Sequence, residues 1–297
     1  MNDFLYLIKR NIKVYFNDKG LFFTSLITPL ILLILYSTFL SGVFEDAFVS
    51  SIPKELNISS GIIKALVSGQ LMSSLLAVSS VTVAFTSNML MVQDKINGTI
   101  KDLTVSPIKK SKIILSYFVS SFLSTIIVNV VALILCLLYT YTRGWYYSFS
   151  DVLFLLLDVL LLTLFGCSLS SVINSLLKSQ GQVSAVSAII SSAYGFLCGA
   201  YMPISSFGKG LQKVISFLPG TYGTSLVRNH SLNPIFNQIS NIDSSLIDNI
   251  KKGVDCIIEF NGNIVSISSM YLVLLSSILF FIFVYLIMNK IRKHNYR

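Results

Sequence analysis

The sequence has few charged residues for its length. Asp, Glu, Lys and Arg make up only 12% of the 297 residues, whereas 54% are hydrophobic. Soluble globular proteins carry roughly a quarter of their residues as charges, because their surface must be solvated. The composition therefore excludes an ordinary soluble domain and predicts an integral membrane protein.

The sequence also lacks the residue patterns on which many enzymes depend. It has two histidines, His230 and His294, and neither His-Glu-x-x-His nor Gly-x-Ser-x-Gly occurs. The four cysteines show neither metal-ligand spacing nor a disulfide framework. Because Gly-x-x-x-x-Gly-Lys-Ser/Thr is absent, the chain cannot build the usual phosphate-binding loop of an ATPase. We therefore expect no enzymatic activity, metal or cofactor in this chain itself.

The net charge of +9 does not indicate a nucleic-acid partner, because the basic residues lie beside apolar runs. Multi-pass proteins place Lys and Arg preferentially in short cytoplasmic loops. Basic residues are most numerous before the first apolar run, after the second and after the last. This pattern predicts a protein of the cell membrane with both termini in the cytoplasm.

Six apolar runs are long enough to cross a bilayer, which takes about 20 residues. They cover approximately residues 21–43, 66–92, 113–141, 152–176, 183–200 and 270–288. Residues 2–18 place apolar and basic side chains on different faces, which predicts a helix along the membrane surface in contact with lipid. The second run is rich in Ser, Thr and Ala, which favours a position inside the helix bundle.

A dense block of charge, residues 93–112, separates the second and third apolar runs with five Lys and two Asp. Asn97-Gly98 is typical of a helix end, and Thr99 can cap a new helix. Ile100 and Leu103 supply one amphipathic turn before a proline. The block therefore predicts a short helix facing the cytoplasm.

This block resembles the loop after the second membrane helix in the ABC-2 family of ABC-exporter permeases. That loop carries an acidic residue, a Gly-Thr pair, a Leu and a Pro at about this spacing, and docks on a separate ATPase subunit. The acidic position here is taken by Asp94, further from Gly-Thr than the family's usual Glu. The resemblance implies that the following residues couple to the ATPase: Asp94, Gly98, Thr99, Ile100, Leu103 and Pro107.

A helix this short is unstable alone in water, so we expect Ile100 and Leu103 to pack into a groove of the partner. The alternative is a basic loop that only obeys the positive-inside rule and contacts anionic lipid.

A second stretch resembles the same family. Pro203 follows the fifth apolar run, Pro219 is followed by Tyr222, and Arg228 comes shortly afterwards. The resemblance implies a short helical hairpin that re-enters the outer leaflet. Apolar residues then recur at helical spacing among polar ones, which predicts an extracellular amphipathic cap; they are Ile235, Ile239, Ile242, Leu246, Ile250, Val254 and Ile257.

Two features inside the apolar runs indicate packing or transport. Ser187, Ser191, Gly195 and Gly199 recur every four positions, which predicts one small helix face at a dimer interface or pathway wall. Asp158 is an acid well inside the fourth run. It indicates either a substrate or ion path, or a group near the outer headgroups bonded to a Ser or Asn of the second or third helix.

The predicted fold is an all-α integral membrane protein with six transmembrane helices, an N-terminal interfacial helix and a re-entrant outer hairpin. Its divisions are the interfacial helix (1–20), helices 1 and 2 (21–92), the cytoplasmic block (93–112), helices 3 to 5 (113–202), the hairpin and cap (203–269), and helix 6 with a basic tail (270–297).

The resemblance implies a permease subunit of an ABC exporter that works by alternating access. Two copies, or one copy and a similar partner, would form the pathway, and separate ATPase subunits would bind ATP and Mg²⁺. The apolar, Ser-rich helices favour an amphiphilic or hydrophobic cargo such as a drug, an antimicrobial peptide or a lipid-like molecule. The alternatives are a membrane immunity or sensing partner that binds an extracellular peptide without transporting it, and a secondary carrier.

Overall fold

A computed structural model describes residues 2–51, 58–239 and 244–292 of the chain. It is 84% helical, which confirms the prediction of an all-α membrane protein. The helices are α1 (Asn2–Asn17), α2 (Lys19–Leu35), α3 (Ser41–Ser51), α4 (Ser60–Ser87), α5 (Met89–Ile96), α6 (Thr99–Val105), α7 (Lys110–Arg143), α8 (Phe149–Leu176), α9 (Gln180–Leu197), α10 (Lys209–Ile215), α11 (Pro219–Phe236), α12 (Ser244–Gly253) and α13 (Ile267–Arg292).

Shorter elements link these helices. A π-helical turn, Tyr36–Leu40, joins α2 to α3, and two 3₁₀ turns, Ile204–Ser206 and Asn237–Ile239, lie before α10 and after α11. Two short strands, β1 (Glu259–Phe260) and β2 (Asn263–Ile264), pair antiparallel before α13.

Helix boundaries follow local capping chemistry. Asp18 accepts a hydrogen bond from the Leu21 amide at 3.1 Å and so begins α2 directly after α1. Ser148 and Asp151 form a reciprocal capping box at the start of α8. These caps satisfy amide groups that have no partner within the helix.

Five segments are long and apolar enough to cross a membrane: Lys19–Phe39, Ser60–Ile96, Lys110–Arg143, Phe149–Leu176 and Ile267–Lys290. The predicted fifth run corresponds to α9, which has 18 residues and is not among the five. Two glutamines in its first turn and four serines lower its hydropathy. The described residues therefore support five of the six predicted spans by length and composition.

Helix α4 forms the centre of the bundle, as its small and hydroxylated residues predict. Its most apolar window is 89% buried, against 22% for α13. A Cβ atom added to Gly166 of α8 would lie 2.7 Å from the Ser80 carbonyl oxygen, so the two backbones approach closely. Ser87 shares a 2.7 Å hydrogen bond with Thr125 of α7. Small residues and hydroxyl pairs thus pack the centre.

The segment between α9 and α13 differs from the predicted cap. Ile235 belongs to α11, and Ile242 lies outside the described residues, as do the basic tail residues Lys293 and Arg297. Helix α12 ends at Gly253, because Asp255 takes a left-handed conformation (φ +55°) and turns the chain toward β1. The expected helical repeat therefore does not extend to Ile257.

Candidate functional site

The short predicted helix exists as α6. It begins after Gly98, which has φ +83°, a conformation that a residue without a Cβ adopts at little cost. Gly98 occupies the N-cap position and Thr99 is the first helical residue, so Thr99 is not the cap of α6 that the sequence predicted. Ser106 is extended before Pro107, as residues preceding proline prefer, and ends the helix.

Asp94 lies at the centre of a cluster of three side chains, named here the Asp94 cluster. Its side chain is 9% exposed, and its carboxylate pairs with the guanidinium of Arg10 on α1 and accepts a 2.6 Å hydrogen bond from the Tyr117 hydroxyl on α7. The bond to Asp94 raises the pKa of Arg10 above its ordinary value. The cluster therefore joins the first helix to the segment that leads into α6.

Lys95 adds a second connection from the same helix. Its ammonium group donates to the carbonyl oxygen of Leu177 at 2.7 Å and to that of Ser175 at 3.4 Å. Cations commonly bond the free carbonyls at a helix C-terminus, where the macrodipole favours positive charge. Helix α5 is thus tied to α1, α7 and the end of α8.

The apolar residues of α6 contact this chain's own core. Ile100 and Leu103 are half-buried against a cluster that includes Met91 and Tyr117. Both side chains therefore pack partly within the chain itself, and their packing into a partner's groove and their role in coupling remain predictions. The exposed face of α6 contains Lys101, Asp102 and Val105, and Val105 is 88% exposed.

The four positions of the predicted small face have different surroundings. Ser187 is half-buried near Met89, whereas Ser191 is exposed. Gly195 is buried, and an added Cβ would lie 2.3 Å from the Tyr201 ring. Helix α9 ends at Leu197, so Gly199 lies beyond it with φ +71°. A continuous four-residue face is therefore wrong, because this glycine is needed where the chain reverses direction.

The second group of family-like residues lies around α11. Pro203 precedes the 3₁₀ turn, and Pro219 is the first residue of α11, a position where proline costs no hydrogen bond. The Tyr222 hydroxyl donates to the Ser216 carbonyl at 2.6 Å and closes the turn from α10. Helix α11 is longer than a short hairpin requires and is buried along nearly its whole length against α4, α8 and α13.

Arg228 is a fully buried cation on α11, and its contacts form the Arg228 cluster. Its guanidinium donates to the Gly199 carbonyl at 2.9 Å, to Ser74 at 3.3 Å and to Asp255 at 3.3 Å. Asp255 also accepts from the Ile204 amide at 2.9 Å. Burial raises the pKa of Asp255 to about 6, although Arg228 acts in the opposite direction. The cluster joins α4, the end of α9, α11 and the turn after α12.

Asp158 has partners that differ from those expected. Its carboxylate, 1% exposed, contacts His230 Nδ1 at 2.6 Å and accepts a 2.6 Å hydrogen bond from the Tyr271 hydroxyl. Neither partner is a Ser or Asn of the second or third helix. These three residues, named the Asp158 cluster, connect α8, α11 and α13.

Among the described residues, no group of three His, Cys, Asp or Glu side chains could hold a metal ion. The clusters above connect helices and are not arranged as a nucleophile with a base. The fold and the clusters define a multi-pass membrane protein whose buried polar groups connect its helices.

The family model described as the ABC-2 type transporter matches residues 2–230. The chain belongs to this family and is a transmembrane permease component of an ABC transporter. A search of curated proteins found no match to this chain.

Proposed function

We propose that this chain is the permease subunit of an ATP-driven exporter, coupled through α6 to a separate ATPase subunit that binds ATP and Mg²⁺. The observation that carries the proposal is the two-sided packing of α6. One face, with Ile100 and Leu103, is anchored on the chain's own core, and the other exposes Val105 beside Lys101 and Asp102. A rigidly seated helix with a free mixed face suits docking at a partner's surface.

The connection from α6 to the pathway is direct. Helices α4 and α5 form one run, Ser60–Ile96, whose apolar window is the most buried of the five candidate spans. Only Asn97 and Gly98 separate this run from α6. Because the Asp94 cluster and Lys95 tie α5 to its neighbours, displacement of α6 would move the central helix together with α1 and α7.

We propose the membrane topology on the basis of the same arrangement. In this proposal the end of the bundle with α1 and α6 faces the cytoplasm of the cell, because its exposed loops are basic. Helix α9 serves as the fifth of six spans, α10 and α11 form the re-entrant hairpin, and α12 with the β-hairpin forms the outer cap. Two copies, or this chain and a similar partner, would enclose the pathway.

The proposed cargo is amphiphilic or hydrophobic, such as a drug, an antimicrobial peptide or a lipid-like molecule. Supporting this class, α4 supplies a core of small hydroxylated side chains, most of whose hydroxyls bond to their own helix backbone. The candidate spans, with mean hydropathy of 1.7 to 2.6, offer apolar contact with few fixed charges. Arg228 is a basic side chain buried within the described part of the bundle, and it already donates to Asp255 and to the Gly199 carbonyl. It is therefore not free to bind a polyanionic cargo.

The test is reconstitution of the chain with its ATPase in liposomes, followed by measurement of ATP hydrolysis and cargo accumulation in inside-out vesicles. We expect hydrolysis to rise several-fold with cargo, and accumulation to require ATP. A bound ATPase without stimulation or transport would instead support an immunity or sensing partner. Transport in the absence of the ATPase would identify a secondary carrier and contradict the proposal.

A further inference from the structure

The Asp158 cluster is a buried acid and base pair with no role in the proposed coupling. Asp158 is on α8, His230 on α11 and Tyr271 on α13. The distance of 2.6 Å between Asp158 Oδ2 and His230 Nδ1 is that of a short, charge-assisted hydrogen bond. The His230 ring also stacks on Phe154, with ring centroids 5.0 Å apart and planes at 12°.

We infer that Asp158, His230 and Tyr271 form a proton-binding site whose occupancy holds α8, α11 and α13 together. With one proton shared between the carboxylate and the imidazole, the cluster is neutral overall. Without it, a carboxylate with no cationic partner remains in an apolar three-helix junction, which is strongly unfavourable. The Tyr271 hydroxyl donates to the carboxylate in both states and supplies no charge.

Other charged groups on the elements packed around the cluster do not take over this role. On α8, Asp151 is engaged in the cap with Ser148, and on α11, Arg228 is directed to Asp255. On α7, Arg143 lies over the Tyr139 ring, 5.3 Å from its centroid.

Other ionisable groups near these elements are also exposed, bonded elsewhere or far along the helix. Lys64 of α4 is exposed near the start of that helix, and the Tyr147 hydroxyl donates to the Ser231 carbonyl. On α13, Tyr285 bonds to α5 and α7, and the first charged residue is Lys290, near the other end of the helix. His230 is therefore the described base that can balance Asp158.

The site has a route to water. Tyr271 is four residues from the start of α13, which is about 6 Å along the helix axis. The His230 side chain is 15% exposed, so the imidazole is not sealed inside the bundle. Protons can therefore reach the imidazole from the nearby end of the bundle without passing through the centre.

The experiment uses the chain's two histidines. In the full-length His294→Gln protein, His230 is the one remaining histidine, so its imidazole resonance can be followed by histidine-selective NMR in nanodiscs between pH 5.5 and 8.5. We expect this resonance to change reversibly with pH, and its pH response to differ in His294→Gln/Asp158→Asn, because the buried carboxylate that shares the proton is gone. A resonance that does not change over this range, or an unchanged midpoint in the double variant, would overturn the inference.

A second measurement covers the case in which Asp158→Asn reduces folding. Cysteines placed on α8 and α13 at the exposed positions Leu157 and Leu272 would carry spin labels in a variant without the native cysteines. We expect the distance distribution to broaden as pH rises from 6.5 to 8.5, and to remain broad at both pH values in His230→Gln. Identical distributions at both pH values in the parental protein would contradict a proton-held junction.

Discussion

The two ends of the bundle each carry an Arg–Asp pair, but the pairs differ in their surroundings. In the Asp94 cluster the Arg10 side chain is 33% exposed and extends from the first helix. In the Arg228 cluster the Arg228 side chain is 1% exposed and bonds three other segments of the chain. The first pair can exchange partners with water, and the second cannot. The partly exposed Arg10–Asp94 pair is thus suited to movement, whereas the buried Arg228–Asp255 pair fixes the fold.

Arg228→Met should have the largest effect on stability. The change leaves the Asp255 carboxylate and the Gly199 carbonyl buried without their cation, and breaking such a pair typically costs about 3–5 kcal/mol. We expect most of the folded, monodisperse protein to be lost, as measured by size-exclusion chromatography and thermal unfolding in detergent. Arg228→Met/Asp255→Asn should recover part of the loss, because Asn removes the unpaired charge and tolerates the left-handed backbone of Asp255. A parental melting temperature for the single variant would contradict the assignment.

The Arg228 cluster should make the stability of the protein depend on pH. Because burial raises the pKa of Asp255 to about 6, the folded state binds a proton that the unfolded state does not between about pH 6 and pH 4. The contribution of Asp255 to stability should therefore increase as pH falls through this window and be lost above it. The melting temperatures of the parental protein and Asp255→Asn at pH 4.5 and 7 test this, and an identical pH dependence would contradict it.

Arg10→Gln should have a smaller effect on stability than Arg228→Met. Water can reach the partly exposed end of the pair, and Tyr117 still donates to Asp94, so we expect a loss of about 1 kcal/mol. The measurement is thermal unfolding in the same detergent. Lys112→Gln is a matched control, because its 3.8 Å contact with Asp3 joins two exposed side chains and should contribute nothing measurable. A loss as large as that of Arg228→Met would remove the distinction between the two ends.

Local patterns in the sequence predicted the helices but not the polar clusters. The small residues of α4 and the Gly98–Pro107 boundaries of α6 are features of single segments. The local sequence was therefore enough to predict them, without knowledge of the tertiary structure. Arg10 and Asp94 are 84 residues apart, and their pairing depends on how α1 lies against α7. Periodicity carries no information on such contacts.

His230 could have been considered as a partner of Asp158 from the sequence. The chain has two histidines and one acid deep in the fourth apolar run, and buried charges are paired in stable structures. The sequence did not reveal how α11 packs: this helix, expected within a short hairpin, has 18 residues and lies against α8. The break at Gly199 was missed for a similar reason, because a four-residue spacing continues across a helix end.

The coupling role of α6 is tested most directly by Val105→Asp. Val105 is 88% exposed, so the substitution should leave the melting temperature unchanged, whereas Leu103→Asp would also disturb the chain's own core. If the exposed face of α6 binds the ATPase, burying a carboxylate there should weaken the complex by roughly tenfold or more. The measurement is the amount of ATPase that co-purifies with Val105→Asp, with Lys109→Gln as the exposed control. We expect a folded permease that has lost its ATPase, and ATPase retained at the parental level would contradict the coupling role of α6.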